Sequence, residues 1–148
     1  MAIPPAPSVP RPATMTSPRE SLRYWGVLVL VFFVITSLVG GSLALESSYL
    51  AVTLASHIGL GIVTLVLAGY ATSAIGRRYR TAPRTGAALS AVSALFAVIA
   101  GTVYLTAGQP LGALSAMEVF AGTGIVGALL MIVFGGPSGL RSEPRPVA

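Results

Sequence analysis

Four long apolar runs, separated by short polar breaks, organise this chain. Residues 24–45 (YWGVLVLVFFVITSLVGGSLAL) carry no charge, residues 49–75 hold one titratable group of note, His57, residues 86–107 hold no charged residue, and residues 111–134 hold only Glu118. Each run has the roughly 20 residues that a helix needs to cross a bilayer core. Backbone in hydrocarbon must satisfy its own hydrogen bonds, so the runs predict helices. The pattern therefore predicts an all-α integral membrane protein, an antiparallel four-helix bundle spanning residues 24–134. The breaks are Glu46-Ser47-Ser48, the loop GRRYRTAPRTG, the turn Gly108-Gln109-Pro110 and the helix-stopping GGPSG after the fourth run.

Outside the runs the character changes. The first 20 residues contain six prolines and no apolar periodicity, so residues 1–23 read as a disordered Pro-rich tail and residues 135–148 as a second polar tail. All nine basic residues are Arg, at 11, 19 and 23, at 77, 78, 80 and 84, and at 141 and 145. Four crossings put these three groups on one side, and the excess of Arg in short loops assigns that side to the cytoplasm of a multi-pass cell-membrane protein. The net charge of +5 is thus spent on topology, which argues against nucleic acid as a partner and leaves membrane lipid. Tyr24 and Trp25 mark the inner end of the first run; Tyr49 and Tyr104 mark outer ends. A cleaved signal ending near Ser42-Leu43-Ala44 is the competing reading of the first run, but that run exceeds the 7–15 apolar residues of a typical signal. With no cysteine and 9% charged residues, disulfides and thiolate metal sites are excluded.

His57 and Glu118 are the two polar residues that need a reason inside lipid, where insertion of a charge costs about 2.5–3.5 kcal/mol. His57 lies eight positions from Tyr49 and Glu118 eight from Pro110, each about 12 Å deep at 1.5 Å per residue. If the second and fourth helices face each other, the two side chains converge. Gly61 follows His57 by four and Gly122 follows Glu118 by four, so each glycine shares the face of its polar residue and leaves room for a flat macrocycle with His57, and then Glu118, on its metal. The bland alternative reads the glycines, like Ala55/Gly59 and Ala97/Gly101, as close helix contacts. It reads His57 as an imidazole bonded to Glu118 or to a backbone carbonyl. Ser56, Thr53, Thr64, Thr102 and Thr123 are expected to donate hydrogen bonds between helices, and Met117 and Met131 to fill the core.

Taken together, residues 34–134 resemble one half of haem A synthase, a family with half-length, four-helix members. The resemblance rests on Val39-Gly40-Gly41 in the first helix, Ser56-His57 in the second, Ile99 and Gly101 in the third, the Gly108-Gln109 turn and the polar Glu118 in the fourth. It implies a haem-binding protein tied to respiratory oxidase haem biogenesis or electron transfer, with His57 as ligand and Glu118 as a second position. The family's second helix reads Glu-x-x-His-Arg; here the matching residues are Leu54, His57 and Ile58, so the acid tied to methyl oxidation is absent and no catalytic residue carries over. The haem-binding reading admits a homodimer; the rival expectation is an accessory subunit of a respiratory or other membrane complex, in which the polar pair only sets helix register.

Overall fold

The computed structural model describes residues 21–45, 50–108 and 111–140. The proline-rich stretch of the first tail, the turn residue Tyr49, and the Arg141 and Arg145 tail lie outside them. The four runs form four helices: α1 (Leu22–Leu45), α2 (Leu50–Tyr70), α3 (Thr81–Thr106) and α4 (Leu111–Phe134). All four are long and apolar enough to cross a membrane. The protein is an all-α, multi-pass membrane bundle.

Two ends differ from the apolar runs. α2 continues through one π-helical turn, Ala71–Ile75, and a 3-10 turn, Gly76–Arg78. α3 begins at Thr81, five residues before the apolar run. Pro83 allows this because it stands in the first turn, where a backbone N–H has no partner within the helix. The charged loop is accordingly shorter than the polar stretch of sequence.

The helices pack in a ring, α1 on α2, α2 on α3, α3 on α4 and α4 on α1, with α2 and α4 on a diagonal. Small residues set the tightest contact. A Cβ at Gly127 would lie 2.6 Å from the Gly86 carbonyl oxygen and 2.8 Å from Ser90 N, so α3 and α4 approach backbone to backbone. There the fully buried Ser90 hydroxyl donates to the Gly124 carbonyl at 2.9 Å. Gly26 lets α1 close on α4 in the same way, since a Cβ there would meet Met131 Cβ at 2.8 Å. Water expulsion cannot drive such packing in lipid, so close van der Waals approach and interhelical hydrogen bonds carry it.

At the end bearing Arg23, Arg77, Arg78, Arg80 and Arg84, the chain is knotted together by polar contacts. Leu22 N–H donates to the hydroxyl of the fully buried Tyr79 at 3.0 Å, and Tyr79 forms an isolated bridge with Leu140. The Ser21 hydroxyl and Arg23 N–H both donate to the Gly135 carbonyl at 3.3 Å, and Arg23 Nε donates to the Ile132 carbonyl at 2.9 Å. Arg23 thereby satisfies a carbonyl at the negative end of α4. Residues 21–23, expected in the tail, are part of the packed bundle, and so are residues 135–140. The single Trp25 sits nearby against Tyr70, with ring centroids 4.7 Å apart.

Candidate functional site

Thr36 and Gly40 stand four apart on one face of α1, and this face receives His57. The ring packs against Gly40 with Cε1 nearest: a Cβ there would be 2.6 Å from His57 Cε1 and 3.1 Å from Nδ1. His57 Nδ1 is 3.0 Å from the Thr36 carbonyl oxygen. A carbonyl only accepts, so Nδ1 carries the hydrogen and donates it, which leaves Nε2 as the ring nitrogen not engaged by Thr36. Below this contact, Thr64 of α2 is buried with its hydroxyl 3.4 Å from that of Thr36. Each of these hydroxyls also reaches back to its own helix, Thr36 to Phe32 and Thr64 to Leu60, both at 2.7 Å. His57, Thr36 and Thr64 form a polar seam between α1 and α2.

Glu118 stands equally far along its own helix but points in another direction. His57 and Glu118 are each seven residues into their helices, counted from Leu50 and from Leu111. With α2 and α4 on a diagonal, His57 turns to α1, while Glu118 is exposed on the outer face of α4. Among the described residues no hydrogen bond or ion pair joins the two, and Glu118 has no partner of its own. The expected convergence is therefore not formed within one chain. The neighbouring Met117 explains the direction: it turns inward, its Sδ 3.3 Å from where a Cβ at Gly101 would stand, and one residue further along the helix faces out.

The glycines expected to share a slot with them also separate. Gly61 faces α3, where a Cβ would touch Val98 at 3.9 Å, whereas a Cβ at Gly122 would meet nothing within 4 Å. The four residues named for a macrocycle, His57, Glu118, Gly61 and Gly122, thus lie on three different sides of the bundle, and they do not frame one haem site. Gly101 makes the expected close contact, but Ala55 and Gly59 are exposed. Of the hydroxyls expected to donate between helices, Thr64, Thr102 and Thr123 all donate to carbonyls four residues back in their own helices, and Thr64 alone of these also comes within 3.4 Å of a hydroxyl on another helix, that of Thr36. Met131 is a fully buried core residue.

Sequence reasoning missed Thr36 and Tyr79. The signal for the first was present: Thr36 with Gly40 one turn on leaves a carbonyl and no side chain on one face, a berth for a polar ring from a neighbour. For Tyr79 the signal is an aromatic residue placed inside the Arg-rich break. No family model matches this chain, and neither does any curated protein or solved structure.

Proposed function

We propose that this protein is a non-catalytic subunit of a larger membrane assembly, in which His57 pins α1 to α2 and Glu118 is presented to a neighbouring chain. One observation carries the reading: the two polar residues stand at one depth, but His57 is satisfied inside the bundle and Glu118 is not. A carboxyl seven residues inside a spanning helix and facing lipid costs about 2.5 kcal/mol or more on insertion scales, and a hydrogen-bonding neighbour offsets that cost. In this reading both termini and the Arg77–Arg84 segment face the cytoplasm of a cell membrane, because positive charge in short connections stays on that side. Leu54, at the position of the resembled family's acid, offers no proton chemistry.

A second reading has one observation in its favour. With Nδ1 engaged on the Thr36 carbonyl, His57 holds the tautomer in which Nε2 can bind a metal, an arrangement common among ligating histidines. A haem held in this way would rest on His57. When bound it would supply one-electron redox chemistry. The spectrum of the protein purified in mild detergent from haem-supplemented cells separates the two. The subunit reading expects no Soret band and a particle larger than one copy; a Soret band lost in His57→Ala would establish the haem reading instead.

A further inference from the structure

We infer that the neighbour of Glu118 is a second copy of this chain, docked through the outward face of α4 with the two Glu118 carboxyls at its centre; this rests on the subunit reading above. The face is open. Leu111 is 80% and Val119 65% exposed, and Ser115, Glu118 and Gly122 are exposed along the same stripe.

The glycines of α4 divide into two sets. Gly124 and Gly127 are required by the chain's own packing, against the Phe33 ring and against the Gly86 and Ser90 backbone. Gly112 and Gly122 are not, because a Cβ at either would meet nothing within 4 Å. Gly122 stands one turn below Glu118 and Ser115 one turn above it. Small residues in those places let another helix backbone come close enough for side chains at Glu118 to meet.

The chemistry of a carboxyl selects the occupant. Two carboxyls sharing a proton, or both protonated, donate and accept with each other, so Glu118 is complementary to itself. A two-fold interface places the same residue of each chain near the axis. Copies inserted with one topology have parallel α4 helices and Glu118 at one depth, so the match in depth is automatic. A foreign helix would have to bring a donor to that depth, and a cationic one would carry its own insertion cost. His57 of another copy is out of reach, since it turns to its own α1 and α2 lies across the bundle from the α4 face on which the two-fold axis stands.

The test uses the full chain in phosphatidylcholine bilayers. Because the protein has no cysteine, single Cys substitutions report the interface directly. Ser115→Cys and Gly122→Cys should form disulfide dimers on oxidation, while Val66→Cys, 63% exposed on α2, should not. Dimerisation measured by energy transfer on dilution should weaken about three- to thirtyfold in Glu118→Leu. Gly122→Leu should weaken it similarly, and Glu118→Gln, whose carboxamide is also self-complementary, should retain it. Helix content and Trp25 fluorescence should stay unchanged in all of them, since both positions are exposed on their own bundle. A wild type that remains monomeric in the bilayer, cross-links at Val66→Cys in place of the α4 positions, or a dimer indifferent to both leucines overturns the pairing. Glu118-dependent association with a different chain overturns the self-pairing and leaves the subunit reading standing. A monomer carrying a Soret band overturns both.

Discussion

Gly127→Ala and Gly122→Ala insert the same methyl group into the same helix, five residues apart, and should have opposite consequences. At Gly127 the new Cβ would stand 2.6 Å from the Gly86 oxygen, 2.6 Å from Ser90 Oγ and 2.8 Å from Ser90 N. Two of these three atoms are backbone, so no rotamer change relieves them. Restoring an ordinary C···O separation of about 3.3 Å requires α3 and α4 to part by about 0.7 Å. That movement stretches the Ser90 to Gly124 hydrogen bond, now 2.9 Å, beyond useful length. Overpacking costs about 1–3 kcal/mol and the lost interhelical bond about 0.6–1.7 kcal/mol. The gain from replacing a helical glycine by alanine is about 1 kcal/mol. Gly127→Ala should therefore destabilise by about 0.6–3.7 kcal/mol. At Gly122 only the gain applies, and that variant should be unchanged or up to about 1 kcal/mol more stable.

The measurement is reversible unfolding in mixed micelles at rising dodecyl sulfate fraction, at dilutions where the chain is monomeric, followed by far-ultraviolet circular dichroism and by Trp25 fluorescence. Monomeric conditions matter because Gly122 also lies in the inferred dimer face. Stability of Gly127→Ala within about 0.5 kcal/mol of wild type would refute the backbone contact between α3 and α4. Equal damage from Gly122→Ala would refute the outward direction of that face, and with it the division of the α4 glycines.

Two further outcomes follow from the arginine-bearing end. Tyr79→Phe deletes the hydroxyl that accepts from Leu22 N–H and leaves a buried donor unmatched, so it should cost about 1–3 kcal/mol and speed amide exchange at Leu22; exchange as slow as in wild type would mean that the bond does not hold the start of α1. A Cys replacing the exposed Arg80 should resist an impermeant maleimide added outside intact cells and react after the cells are opened; labelling from outside would reverse the assigned topology.

Position along each helix was legible in the sequence and direction around it was not. Counting residues at 1.5 Å each puts His57 and Glu118 at one level, and the helix starts at Leu50 and Leu111 keep them there. Direction has no comparable ruler. In a soluble helix the polar face points to water, but here lipid and bundle interior are both apolar, so Gly122 and Gly127 look alike in sequence although one faces out and the other touches a neighbour's backbone. The ends of elements were misjudged where polarity and helix formation part company: Thr81, Pro83 and Arg84 are polar or helix-limiting by composition and still form the first turn of α3.

The pairing of helices was nevertheless encoded, in the connections and not in the polar residues. A break as short as Glu46-Ser47-Ser48 or Gly108-Gln109-Pro110 joins only neighbours, and the Arg-rich break is little longer. Three short connections in succession give an up-down-up-down bundle. In that ring the second helix borders the first and third, and the fourth borders the third and first. His57 could then find its partner only on α1 or α3, and Thr36-x-x-x-Gly40 on α1 supplies both an acceptor and the space for a ring. By the same constraint Glu118 was never in reach of His57 within one chain. A carboxyl at that depth, on a helix whose inward positions are already filled by Met117, Gly124, Gly127 and Met131, is left with the lipid side of α4 and whatever molecule meets it there.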